Sequence, residues 1–152
     1  MNGLLAALEG SYPANLLRTS FVLYPVINAA HILAIGVLIT ATLLMDLRLL
    51  GIGRAVDAET VIRSLRPFAV GGLLFALGTG LLLFSVRPFD YLANAAFQIK
   101  MALLLVAAIN ALLFTVRKTH RRHGIALRLG VAVSLLLWPA VLLAGRFIGF
   151  LE

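Results

Sequence analysis

Long apolar runs separated by short polar clusters dominate the chain. Charged residues are sparse from about Phe21 to Met45, Pro67 to Val86, Ala93 to Val116 and Ile125 to Phe150. Each run reaches the ~20 residues that an α-helix needs to cross a bilayer core. The pattern predicts four membrane-spanning helices over 21–45, 67–86, 93–116 and 125–150. Residues 2–18 behave differently. Leu4, Leu5, Leu8, Leu16 and Leu17 recur at roughly helical spacing, broken at Gly10-Ser11-Tyr12-Pro13. This reads as a short amphipathic segment lying in the interface, too interrupted to span.

The polar clusters are short, so consecutive helices are expected to pack antiparallel. The predicted fold is all-α, an up-down-up-down four-helix membrane bundle forming one domain over 1–152. Pro25 falls in the first turns of its helix, and Pro67 is placed in the first turn of the second. Between them, Asp57 is predicted to cap a short surface helix whose Val61, Ile62 and Leu65 face lipid. Gly72, Ala76 and Gly80 fall four apart, a stripe that admits a neighbouring backbone or a flat cofactor.

Composition agrees with the pattern. The chain is 62% hydrophobic and only 12% charged, with mean hydropathy +1.05, against about 25% charged residues in soluble domains. With no cysteine, disulfides, thiolate metal sites and cysteine nucleophiles are excluded. The start of the chain lacks a basic n-region, so the first span is expected to serve as an uncleaved anchor.

The formal charge of +7 sharpens the topology instead of suggesting nucleic acid. One side carries Arg48, Arg54, Arg63, Arg66, Arg117, Lys118, Arg121, Arg122 and, one turn into the fourth span, Arg128. The other carries Arg18 and Arg87, with Lys100 and Arg146 inside spans nearer that side. Positive loops stay cytoplasmic, so the chain is expected in a bacterial inner membrane with both termini periplasmic.

That orientation brings four nitrogenous side chains into one half of the bundle. His31 lies a few turns into the first helix and Lys100 one to two turns into the third. Arg146 is about one turn into the fourth, and Arg87 closes the second. Asn28 shares nearly the same face as His31. Cations gathered in an apolar medium repel one another and are costly to bury. One solution is a haem b, with His31 as axial ligand and cationic residues pairing with the propionates. Lys100 would then be a propionate partner or a second axial ligand. The other solution is local. The long cations snorkel to lipid phosphates, and His31 bonds a carbonyl or Asn28. His120 and His123 belong to the basic turn at the opposite end and cannot complete a histidine pair.

Signatures of catalysis are missing. Asp46, Asp57, Glu59 and Asp90 are all assigned to loops or helix ends, so no intramembrane carboxylate is expected. Neither a phosphate-binding loop, a zinc-protease motif nor a nucleophile elbow is present. Thr40, Thr42, Thr79, Asn110 and Ser134 are read as interhelical hydrogen bonders.

Four stretches carry a resemblance: Tyr24-Pro25 through Asn28-Ala29-Ala30-His31, Asp46-Leu47-Arg48-Leu49-Leu50-Gly51, Asp90-Tyr91-Leu92-Ala93-Asn94 through Phe97-Gln98-Ile99-Lys100, and Trp138 through Ala144-Gly145-Arg146. Together they resemble a family of small bacterial four-helix membrane proteins of unknown function. More distantly, the pattern is similar to the copper-resistance protein D family and to HemJ-type protoporphyrinogen oxidases. The latter resemblance implies haem b held by His31 and Lys100.

The resulting expectation is a non-catalytic membrane protein binding haem b at His31, Lys100, Arg87, Arg146 and Asn28. It would transfer electrons or serve as the membrane subunit of a redox complex. The alternative is an accessory or scaffold subunit that binds lipid or a partner membrane protein, with homo-oligomerisation open. A third reading is transfer of a small solute or copper. Copper needs soft ligands, and Met1, Met45 and Met101 are widely spread.

Overall fold

A computed structural model describes residues 2–53, 55–116 and 124–150. Seven α-helices and a final 3-10 turn make up the described chain. Helices α1 (Asn2–Glu9) and α2 (Tyr12–Thr19) are short. The long helices are α3 (Leu23–Leu49), α4 (Ala58–Val86), α6 (Ala95–Val116) and α7 (Ile125–Phe147). Helix α5 (Pro88–Ala93) links α4 to α6, and Ile148–Phe150 extends α7 as a 3-10 turn. The four long helices are apolar and long enough to cross a membrane. They form the expected four-helix bundle. The basic turn over 117–123, with His120 and His123, lies outside the described residues, as does Arg54.

Two boundaries differ from expectation, with consequences for chemistry. Helix α3 continues past Met45 to Leu49, which draws Asp46 into the helix. Helix α4 begins at Ala58, so the expected surface helix and the second span are one continuous element. Asp57 does cap it, accepting from the Glu59 and Thr60 amides at 3.0 and 3.2 Å. Pro67 consequently sits inside α4 instead of opening it. A proline there removes the hydrogen bond to the carbonyl four residues back. Both Pro67 and Arg63 are exposed, so solvent or headgroups can satisfy that carbonyl. The early turns of α4 also face inward. Leu65 packs on the core and Ile62 lines a cavity, where lipid contact was expected.

Packing rests on small residues. At Gly72 a side-chain Cβ would stand 2.9 Å from the Leu38 amide nitrogen and 3.0 Å from the Ala34 carbonyl oxygen. The α3 and α4 backbones therefore touch, and the Gly72/Ala76 stripe is filled by α3. Helices α6 and α7 close similarly. Asn110 Nδ2 donates across to the Gly130 carbonyl at 3.2 Å, and a Cβ at Gly130 would meet the Phe114 ring at 2.7 Å. Leu38, Ala41, Ala69, Ala107 and Trp138 form a core to which all four long helices contribute. The α4/α6 seam is spanned by large side chains instead. Phe84 and Phe97 stack with centroids 5.5 Å apart, and Tyr91 leans on both.

The interfacial segment is two helices, broken at Gly10 and Ser11 as predicted. Ala14 and Leu17 are buried, and α2 rests on α4. Arg18 reaches over the end of α4, donating to the Val86 carbonyl at 2.6 Å and pairing with Glu9 at 3.3 Å. It satisfies one of the carbonyls that a helix C-terminus leaves open.

Overfilling the α3/α4 contact is the clearest test of this packing. Gly72→Ala should destabilise by about 1–3 kcal/mol, the usual cost of an extra methyl in a close-packed interface. Gly71→Ala should be neutral or mildly stabilising, because nothing lies within 4 Å of its Cβ position. Reversible unfolding in detergent micelles measures both.

Candidate functional site

His31 lies eight residues beyond Leu23 on α3, about 12 Å along the helix axis at ~1.5 Å per residue. Its ring leans on α4. Nδ1 is 2.9 Å from Thr79 Oγ1, and a Cβ at Gly80 would stand 3.0 Å from His31 Cε1. Glycine at 80 is thus what lets the imidazole lie against the α4 backbone. Thr79 is buried, and its hydroxyl is 2.7 Å from the Phe75 carbonyl oxygen, to which it donates. A hydroxyl has one proton to give, so toward His31 it accepts. With that proton given to Phe75, the bond to His31 is donated by Nδ1–H. This tautomer leaves Nε2 with its lone pair, the arrangement in which a histidine is oriented to bind a metal through the other nitrogen.

Lys100 forms the counterpart on the second helix pair. Its Cδ, Cε and Nζ run along α7 at 3.5, 3.4 and 3.3 Å from the Cβ position of Gly145. Its charge is near enough to act on His31. Among the described residues no carboxylate pairs with it, the two ion pairs being Arg18–Glu9 and Arg63–Glu59. A lone base and a lone cation thus share one layer of the bundle, each laid over a glycine of the adjacent helix.

The remaining expected members of the cluster stand outside it. Asn28 is exposed, one turn before His31. Arg87 is exposed at the junction of α4 and α5. Arg146 is exposed with its guanidinium 5.1 Å from the centre of the Phe150 ring. A cation held over an aromatic ring at a bundle end is a headgroup-level arrangement. The four-group convergence reduces to His31 and Lys100. Thr79 acts between helices as predicted, and so does Asn110. Thr42 does not. Its hydroxyl donates to the Leu38 and Ile39 carbonyls of its own helix at 2.8 and 2.9 Å.

A second polar position was not foreseen. Asp46 is only 7% exposed, and it lines a cavity of about 150 Å³ with Thr42, Arg66, Phe114, Ser134 and Trp138. The carboxyl interacts with the Ser134 hydroxyl, while its Oδ2 has no hydrogen-bond partner among the described residues. Asp46 stands in the last turn of α3, at a helix end as expected, but its side chain is buried among the helices, which was not expected. One helical signal pointed to it: Leu38, Thr42 and Asp46 are spaced by four and share a face. Among the described residues no three His, Asp or Glu side chains gather as a metal cage.

The His31–Thr79 bond has a measurable strength. Thr79→Val should cost about 0.6–1.7 kcal/mol, the span from the mean to the largest interhelical hydrogen bond measured in a membrane protein. Thr79→Ser, which keeps the hydroxyl, should retain most of the stability in the same unfolding assay.

Neither a curated protein nor a solved structure matches the chain. The model of one protein family, described as a family of unknown function, matches residues 8–151. That span takes in α2 to α7 and with them His31, Asp46 and Lys100. The chain belongs to this family, DUF6644.

Proposed function

We propose that the protein is a multi-pass protein of the bacterial inner membrane that binds haem b through His31. The observation that carries this reading is the bare Nε2 of a histidine whose other nitrogen is tied to Thr79. Hydrogen bonds of this kind, made by the ring nitrogen that faces away from a metal, orient metal-binding histidines and raise their basicity. The donor chemistry fits a haem iron, which takes a neutral imidazole. It fits a caged metal ion less well, since no further His, Asp or Glu completes a cluster among the described residues. Lys100 supplies either an amine for the second axial position or a positive charge for a propionate. The similarity of the His31 and Lys100 positions to HemJ-type proteins adds the same pair from a different direction.

When bound, haem would supply one-electron transfer between ferrous and ferric iron. The chain's own contribution is to hold the imidazole tautomer, keep the layer apolar and place one compensating cation beside it. Arg87 and Arg146 are assigned to lipid phosphates, in keeping with their exposure. Arg48, Arg63, Arg66 and Arg128 gather at the end away from the termini, supporting an orientation with both termini periplasmic. The protein would then be an electron carrier or the membrane subunit of a redox complex.

A second reading, an accessory subunit that binds anionic lipid or a partner membrane protein, is favoured by the same outward arginines. Arg146 over Phe150, with exposed Tyr12 and Phe21 at that end, resembles a headgroup belt.

An absorbance spectrum separates the two. Protein purified after haem-replete expression should show a Soret band that His31→Ala abolishes and Lys100→Ala shifts or weakens. A colourless wild type, or a spectrum unchanged in His31→Ala, contradicts haem binding.

A further inference from the structure

Helix α4 packs along α3 and helix α6 along α7, while the α4 and α6 backbones hardly approach each other. At the end nearer the chain termini, the Phe84, Phe97 and Tyr91 rings fill the seam between them. Toward the other end the seam holds a cavity of about 150 Å³ instead. Ile62, Arg66, Val70 and Leu73 of α4 and Ala111 and Phe114 of α6 flank it, with residues of α3 and α7 behind them. Val70 is 50% exposed, whereas Leu38 and Trp138 at the back are buried. The cavity therefore opens outward between α4 and α6, and both are helices of membrane-spanning length. Its mouth faces the acyl chains of the bilayer.

The four α4 residues recur at spacings of three and four, which places them on one stripe. Along it, Arg66 lies about 10 Å from Leu73 at ~1.5 Å per residue, toward the end where the Arg63–Glu59 ion pair is exposed. Arg66 is thus nearer the headgroups, and Val70 and Leu73 are deeper. Arg66 is also the one cation in the lining. It makes an interaction of its own, but a guanidinium carries five N–H donors and suits phosphate oxygens.

The lining discriminates between occupants. A cation would be opposed by Arg66. An anion entering whole would meet Asp46 in the wall. A hydrocarbon segment is opposed by neither. A cavity of this size takes a benzene molecule, so it suits roughly six carbons of a chain. An amphiphile that leaves an anionic head at Arg66 and inserts only part of its tail meets every condition.

We propose that the α4/α6 seam is a binding site for one anionic phospholipid, with its phosphate on Arg66 and an acyl-chain segment between Val70 and Ala111. This site lies at the opposite end of the bundle from Arg87 and Arg146. It shares no residue with the His31 layer, so it stands or falls independently of haem binding.

Delipidated protein in a nonionic maltoside micelle is titrated with dioleoylphosphatidylglycerol and, separately, with dioleoylphosphatidylcholine, which differ only in the headgroup. Native mass spectrometry counts the molecules bound. One phosphatidylglycerol should bind about tenfold more tightly than phosphatidylcholine, the size of effect expected for a charge-assisted hydrogen-bonded pair. Arg66→Gln should remove most of that preference. Arg63→Gln, which alters an exposed cation one turn away, should leave it intact. Val70→Trp, which narrows the mouth, should weaken both lipids. Equal affinity for the two lipids would show a merely apolar groove. A preference lost as fully in Arg63→Gln as in Arg66→Gln would show a diffuse basic surface. A lipid-free dimer would show the mouth covered by a second copy. Each of these results overturns the proposal, as does a preference that survives Arg66→Gln. Should Arg66→Gln fail to fold, Val70→Trp still decides, because undiminished lipid binding in that variant also overturns it.

Discussion

The contact of α3 with α4 at Gly72 determines where everything else in the bundle falls. With the two backbones touching at Ala34 and Leu38, the antiparallel register between them is set. Moving one way along the pair, Thr79 and Gly80 come opposite His31. Moving the other way, Ile62, Arg66 and Ala69 come opposite Leu38, Met45 and Asp46 around a cavity. A one-residue slip would rotate each partner by about 100° and dissolve both polar positions. In a bilayer, lipid tails are as apolar as the helices, so close packing and interhelical hydrogen bonds must hold such a contact. Glycine at 72 is how this pair achieves it.

The same constraint explains how the polar groups are arranged. No water reaches the hydrocarbon core to satisfy a stranded donor or acceptor. The His31 Nδ1–H meets that demand through Thr79, whose own proton goes to the Phe75 carbonyl. Lys100 has no such anionic partner among the described residues, and Asp46 Oδ2 has none either. These unmet valences, with Nε2 of His31, are the polar positions that the packing leaves without a partner. A core of Leu38, Ala41, Ala69, Ala107 and Trp138 lies between the His31 layer and Asp46.

Much of this was legible in the sequence, for a physical reason. Apolar runs of membrane length identify spans because nothing else uses them, and an ionisable residue within one stands out. His31 and Lys100 were visible on that ground, and Thr79 and Asn110 proved to be interhelical bonders as their chemistry suggested. Side-chain direction was not legible. Arg87 and Arg146 lie toward the same end of the bundle as Lys100 but are exposed, and position along the helix does not reveal that. Asp46 was missed because a run of apolar residues ends at Met45 while the helix continues to Leu49. A boundary error of one turn moved an acid from water to the interior. Pro67 misled in the same way, since a proline suited to a first turn is tolerated on an exposed face inside α4.

Haem ligation by His31 depends on which ring nitrogen carries the proton. Nitrogen-15 NMR of imidazole-labelled protein in micelles at neutral pH reads this directly. The structure predicts a neutral ring protonated at Nδ1, with an unprotonated Nε2. Resonances showing the proton on Nε2, or a doubly protonated ring, would contradict the Thr79 hydrogen bond and the ligand role built on it.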